Sequence, residues 1–463
     1  MALLDPAPVG DLEVRDEIGV VHAQERLVAV IGGRPELRTR GTERVAERIA
    51  PFGFLVSGNR DAEPDARARR VPAMALVEHH RHREAHAVTL PEVARYAPAM
   101  VNPVPPAPRP RARDVGVVIG SLPTGPTNGI VDVPGVRVGH ATVWHDEPSV
   151  ARTGVTVIVP DDLGALFTSP IAAGTAVLNG AGELTGSLTI GEWGVLETPI
   201  ALTSTMAVGR AYDGLVQAMI AAHPGVGVDE CVIPTVGECD DSFLDDARGL
   251  SVTAQHVIDA LADAGSGAVA EGAVGAGAGM TCLGYKGGIG TASRVLDGYS
   301  VGVLALTNFG VSEQLVVDGV PVGRLLPVDD DESGETPAEG SCIVVVATDA
   351  PVSHAQCERI ARRAGLGLAR TGSIAHHGSG EIFCAFSTTY RGPREEGETV
   401  VTRVEVAAHR LNDLFAATVE ATEEAVLNSL FVADTVVGVG GHRAIGLPHD
   451  RVVELLRSHG RLR

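Results

Sequence analysis

Lysine is almost missing from this sequence. Among its 37 basic residues, Lys286 is the single lysine and arginine supplies the rest. Aromatic residues are scarce, at 3%. A core must therefore be filled with Ala, Val, Leu and closely packed glycine backbone, and 44% hydrophobic residues with 56 glycines supply that material. The same figures exclude a wholly disordered chain. No apolar run approaches the roughly 18–20 residues of a membrane-spanning helix. The start, MALLDPAPVGDLEVRDE, turns acidic early and lacks an apolar signal region, so a cytoplasmic location is expected. None of the six cysteines forms a CxxC pair, which argues against structural zinc and for reduced, mostly buried thiols. Positive charge is in deficit, 37 Lys+Arg against 58 Asp+Glu for a net charge of −21. Nucleic acid and anionic membranes are therefore not expected as partners.

What is present divides in two. Residues 1–113 carry a net charge of about +2, leaving the acidity to the remainder of the 463-residue chain. This first part ends in VNPVPPAPRPRARD, whose prolines predict an extended linker. A short helix is expected between residues 24 and 50. The run EHHRHREAH holds His79, His80, His82 and His86. Without a carboxylate or cysteine at fixed spacing it reads as a solvated polar helix, and no metal or other cofactor is expected.

Beyond about residue 114, short β-branched runs alternate with Gly and Pro. Strands are expected within 129–143 and at 154–160, 231–236, 301–307, 342–348 and 382–388. Helices are expected at 206–222, 252–264, 353–369, 411–431 and 449–458, with Ser353 placed to cap the third. Strands mixed with helices, without βαβ regularity, predict a layered α+β domain.

Five segments could carry chemistry. The acidic stretch PVDDDESGETPAEG runs directly into SCIVVVATDA, an exposed loop joined through Gly340 to a buried strand headed by Ser341. A hydroxyl at that position suits attack on the preceding carbonyl. The freed α-amine could then serve as the base for its own side chain. Gly-Ser before a strand is common, so spacing alone makes this a weak signal. In HHGSGEIFCAFST, Ser379 and Glu381 alternate and would project to one side, a pair able to polarise a nucleophile's hydrogen bonds, or simply a polar turn. In EGAVGAGAGMTCLGYKGGIGTASR the glycine spacing fits neither GxGxxG nor a P-loop. Close backbone approach is the better reading, with Lys286 either in a pocket or at the surface. Asn308 in TNFG could donate to an oxyanion or merely make a turn. Glu238 and the aspartates of ECDDSFLDD read as a solvated acidic loop rather than a calcium site.

Taken together and in order, TNGIVDVPGVRVGHATV, NGAGELTG, TPIALTSTMAVGRAYDG, ECDDSFLDD, GMTCLGYKGGIGTASR, LTNFG, GSCIVVVATDAP and GSGEIFCAFST resemble the DmpA-type L-aminopeptidase/D-esterases, which include the β-aminopeptidases. The resemblance spans about residue 111 to the C-terminus and leaves residues 1–110 as an extension of unknown role. It implies an αββα-like sandwich reminiscent of N-terminal nucleophile hydrolases with different connectivity. It also implies a precursor that cleaves itself between Gly340 and Ser341 into 1–340 and 341–463, with the domain parts being 111–340 and 341–463. By the resemblance Ser341 is the nucleophile, Ser379 and Glu381 support it, and Asn308 stands on the oxyanion side. Glu238, Phe243 and Lys286 fall at the pocket. Phe243 stands where better-characterised members carry Tyr, so one hydroxyl is lost. The substrate implied is a small peptide, amide or ester with a free amine, and the assembly a homo-oligomer, a tetramer of cleaved protomers. Two other readings stay open. One is acyl transfer of the ornithine-acetyltransferase kind, and the other a catalytically weakened small-molecule binder.

Overall fold

The computed structural model describes residues 109–327, 340–392, 394 and 400–462. The helix expected between 24 and 50, the histidine cluster at 79–86, most of the proline-rich linker and residues 328–339 of the acidic stretch lie outside them.

Two sheets face each other. The smaller has the order β1-β2-β5-β6, built from β1 (Arg137–His145), β2 (Ala151–Val159), β5 (Ile200–Ser204) and β6 (Thr235–Cys239). The larger has the order β4-β3-β12-β11-β10-β9. Its strands are β3 (Ile171–Gly180), β4 (Val195–Leu196), β9 (Gly288–Val295), β10 (Ser300–Asn308), β11 (Ser341–Thr348) and β12 (Gly380–Arg391). A small hairpin, β7 (Thr281–Cys282) with β8 (Tyr285–Lys286), leads into β9. Helices Val208–Ala222 and Ala254–Asp263 cover the outer face of the four-stranded sheet. Helices His354–Arg370 and Leu411–Val432 cover that of the six-stranded sheet. The layers are thus helix, sheet, sheet, helix. The Ser353 backbone N–H donates to Gln356 Oε1 at 3.2 Å, so Ser353 does open its helix.

Strand β11 lies near the middle of the larger sheet, antiparallel to β10 and parallel to β12. Its alternation decides the site. Cys342, Val344 and Val346 enter the core under the helices, whereas Ile343 and Val345 enter the core between the sheets. Each such fully buried Val or Ile contributes roughly 1.5–3 kcal/mol relative to exposure. Ser341 therefore faces the opposite way from the buried thiol Cys342.

Several expectations shift. The strand expected at 231–236 runs from Thr235 to Cys239. Strands β3, β5 and β9 fall outside the expected strands; β3 and β9 are rich in Ala and Gly, and β5 is only five residues long. In β9 the glycine has a reason, because a Cβ on Gly290 would lie 1.9 Å from the Ala425 carbonyl of the covering helix. All six cysteines are free thiols, five buried and Cys231 exposed. Among the described residues, no helix is long and apolar enough to cross a membrane.

Candidate active site

Ser341 opens β11 at the wall of a cavity of about 530 Å³. Gly182, Thr205, Glu238, Phe243, Asn308 and Gly340 also line it. The ends of β3, β5, β6 and β10 thus converge on the head of one central strand. Gly182, just past β3, passes both Ser341 and Glu238: a Cβ there would lie 3.6 Å from Ser341 Oγ and 3.1 Å from Glu238 Oε1.

Asn308 is the last residue of β10 and pairs directly with Ser341. Its carboxamide is fixed at both ends. Oδ1 accepts from the Thr281 N–H at 2.9 Å, and Nδ2 donates to the Asp240 carbonyl at 2.8 Å. One Nδ2 proton remains for the cavity, since the amide carries two. Gly340 leaves no room for a side chain, because a Cβ would fall 2.0 Å from the Asn308 carbonyl oxygen. The Gly340 carbonyl accepts from the Gly380 N–H at 3.1 Å, so a backbone dipole already polarises the carbonyl beside Ser341.

Ser379 immediately precedes β12, whose Gly380 pairs with Ser341. The Ser379 hydroxyl donates to Glu381 Oε1. Both residues are buried. Burial raises the Glu381 carboxyl above its ordinary pKa, opposed by the Ser379 hydrogen bond and by the nearby His376. Asn179 Nδ2 donates to the His376 carbonyl at 2.7 Å and also to that of Ser379, which fixes this turn against β3. His376 itself is turned to the Gln314 side chain, 2.9 Å away.

Glu238, from β6, is buried in the cavity wall. Its Oε1 accepts from the Glu183 N–H at 2.8 Å and its Oε2 from the Thr205 hydroxyl. Burial raises its pKa, and those two hydrogen bonds pull the other way. The acidic segment is therefore only in part the solvated loop its composition suggested, with Asp240 exposed and Asp246 half-buried. Glu238, Asp241 and Asp245 are all buried, and Asp245 Oδ1 accepts from the Arg152 N–H at 2.8 Å. Phe243 lines the cavity with its ring stacked on His442, centroids 4.8 Å apart.

Lys286 is neither in the cavity wall nor at the surface. It is fully buried, and its ammonium donates to the carbonyls of Gly277, Met280 and Gly287 at 2.9, 2.8 and 2.7 Å. Burial lowers its pKa to about 7. It ties together the backbone of the glycine-rich segment between Gly277 and Gly287. Sequence reasoning missed Gly182, Thr205 and the Gly380 N–H. Gly182 carries no side chain, Thr205 is one of several hydroxyls in its motif with nothing in the spacing to single it out, and a backbone donor leaves no sequence signal.

The chain is similar to known proteins in sequence and in fold. The family model for Peptidase family S58 matches residues 128–444. Over 376 residues the chain is 40% identical to a beta-peptidyl aminopeptidase of Sphingosinicella microcystinivorans, covering 76% of this chain and 93% of that protein. A Burkholderia beta-aminopeptidase structure superposes with a TM-score of 0.70 at 44% identity, covering 76% of this chain and 99% of the other. The L-aminopeptidase D-Ala-esterase/amidase of Ochrobactrum anthropi, described as a prototype for the serine aminopeptidases and a new variant of the Ntn hydrolase fold, superposes with a TM-score of 0.71 at 35% identity. That match covers 77% of this chain and 100% of the other.

Proposed function

This chain belongs to peptidase family S58 and is a serine aminopeptidase, and from that premise we propose that Ser341 is its nucleophile, freed by cleavage of the Gly340–Ser341 bond. The observation that carries the proposal is the Gly340 carbonyl. It lies next to Ser341, accepts a hydrogen bond from the Gly380 N–H, and belongs to a residue that tolerates no side chain.

In the first reaction Ser341 Oγ adds to the Gly340 carbonyl carbon. The C–N bond breaks, the hydroxyl proton passes to the Ser341 nitrogen, and the chain becomes an ester. Water hydrolyses that ester, leaving a Gly340 carboxylate and a Ser341 with a free α-amine. With a reference pKa near 7.7, that amine can take the proton from its own hydroxyl. Because Ser379 donates to Glu381, its oxygen is free to accept from the amine and orient it. The products are residues 1–340 and 341–463. They stay together through the buried Arg294, which pairs with Glu424 at 2.7 Å and Glu420 at 3.0 Å across the cleavage point.

In the second reaction the substrate carbonyl takes the place of Gly340's. The free Nδ2 proton of Asn308 stabilises the developing oxyanion, and the Glu238 carboxylate binds the substrate ammonium. Substrates are small peptides, amides or esters with a free amine. The relatives named above are hydrolases, which favours water over an amine as acyl acceptor. With Phe243 contributing no hydroxyl, Asn308 carries most of the oxyanion stabilisation. Residues 1–110 are an extension of unknown role, the cleaved protomers assemble as a tetramer, and six free thiols suit a reducing cytoplasm. The test is Ser341→Ala, which should leave the chain uncleaved and unable to release p-nitroaniline from alanyl or β-alanyl p-nitroanilide. Hydrolysis by that variant would overturn the assignment.

A further inference from the structure

Lys286 lies outside the cavity wall, yet the peptide it holds is the one that holds Asn308. The hairpin β7–β8 sets Thr281 opposite Lys286. From there the ammonium reaches the Met280 carbonyl at 2.8 Å. That carbonyl and the Thr281 N–H belong to one peptide group, and the Thr281 N–H donates to Asn308 Oδ1 at 2.9 Å. Asn308 Nδ2 in turn keeps one proton for the cavity. Every donor in this series points the same way. The ammonium donates to a peptide carbonyl, that peptide's N–H to a carboxamide oxygen, and the carboxamide N–H to the cavity.

A hydrogen bond from an ammonium is roughly twice as strong as a neutral one. Bonds in series polarise one another, so a positive charge at one end makes the N–H at the other a better donor to an anion. The cage selects lysine. The carbonyls of Gly277, Met280 and Gly287 meet one nitrogen, and an ammonium has a proton for each where a neutral amine has only two. A guanidinium is a planar fork and does not fit three carbonyls converging on a point. Arginine nevertheless fills every other basic position of the chain. Glycine makes room for the cage. A Cβ on Gly277 would lie 2.5 Å from the Gly272 carbonyl oxygen, and one on Gly287 2.6 Å from Cys282 Cβ. The groups whose fields reach the ammonium are Cys282 and Asp241. Burial raises both of their pKa values, so neither cancels its charge.

We propose that Lys286 is a positioning residue for the hydrolysis: through the Met280–Thr281 peptide and Asn308, its positive charge bears on the oxyanion formed at Ser341. This rests on Asn308 as the oxyanion donor, the role proposed above, and extends it to a residue that touches neither substrate nor nucleophile. The effect belongs to the transition state, where the carbonyl oxygen becomes an anion. It is therefore felt in kcat and not in KM.

A double-mutant cycle on chains that have finished cleavage tests it, with alanyl p-nitroanilide as substrate. Lys286→Met removes the charge and keeps most of the side chain's length. It should lower kcat on the order of 10-fold and leave KM within about twofold. Asn308→Ala alone should lose more, and Lys286→Met added to it should lower kcat no further, because the series is already cut. Losses that multiply, or a Lys286→Met chain with wild-type kcat, would overturn the proposal. An Asn308→Ala chain that loses less than roughly threefold would instead remove the oxyanion assignment itself. A second readout leaves the lysine in place, and so stands even if Lys286→Met does not fold. Because the chain has a single lysine, nitrogen-15 lysine labelling gives one side-chain signal. When the boronic acid analogue of alanine saturates the cleaved wild type as a tetrahedral adduct of Ser341, that signal should shift. In Asn308→Ala, saturated in the same way, it should not. An unmoved wild-type signal, or the same shift in both chains, would overturn the proposal.

Discussion

Asn308 and Ser341 stand directly opposite each other on the antiparallel pair β10–β11. That register brings the carboxamide, the serine hydroxyl and the Gly340 carbonyl to one end of the sheet. It also leaves Gly340 pressed on the Asn308 backbone, and the first prediction follows from that contact.

Gly340→Ala should cleave more than tenfold slower than the wild type. Its Cβ would meet the Asn308 carbonyl at 2.0 Å, a backbone atom that cannot move without shifting β10. A time course of denaturing gels after expression reads the rate. Wild-type cleavage would contradict the packing described.

Asn308→Ala should lower kcat by about 10²–10³, the usual cost of one oxyanion donor. The measurement is made on chains that have finished cleavage, so that a processing defect is not counted as a turnover defect. A loss under threefold would move the oxyanion contact elsewhere.

Glu238 should give the enzyme an acid limb. Burial raises its pKa, so the carboxylate is protonated at a pH where an ordinary glutamate is still charged. As pH falls through that raised value the ammonium contact is lost and KM rises. Glu238→Gln should raise KM by roughly 10–100-fold, the worth of a charged hydrogen bond, and remove the pH dependence of KM. KM profiles for an amine-bearing amide and for an ester without an amine separate the cases, since the ester should not respond.

Glu424 should make the joined fragments acid-sensitive. Burial alone would raise its pKa, but the hydrogen bonds and charges of Arg113 and Arg294 outweigh burial and lower it below the ordinary 4.5. A depressed carboxyl contributes stability that is present above the unfolded value and lost as pH falls through the folded one. Urea midpoints should therefore drop as pH falls below about 4.5. Glu424→Gln, which strands the buried Arg294, should cost roughly 3–5 kcal/mol at neutral pH.

Much of this was legible in the chain. Strand β11 and the helices over it announce themselves by β-branched runs and by 3.6-residue periodicity. Glycine-rich β9 and alanine-rich β3 do not, because their sequences answer to close packing under a helix rather than to strand propensity. At the site, Ser341, Asn308, Ser379 and Glu381 were picked out by residue type and motif order. Lys286 was misjudged, since three carbonyl partners drawn from a glycine loop leave no pattern in sequence. The acidic segment misled for a similar reason. Composition cannot distinguish a carboxylate facing water from one held by a Thr205 hydroxyl and a backbone N–H.

The central claim is that Ser341 becomes an N-terminal residue. The most direct measurement is the intact mass of the purified wild-type chain under denaturing conditions, with sequencing of the smaller product. Two fragments, the smaller beginning Ser-Cys-Ile-Val, is the result predicted. A single chain of 47.9 kDa that hydrolyses alanyl p-nitroanilide would contradict it, because the nucleophile would then act without its free amine.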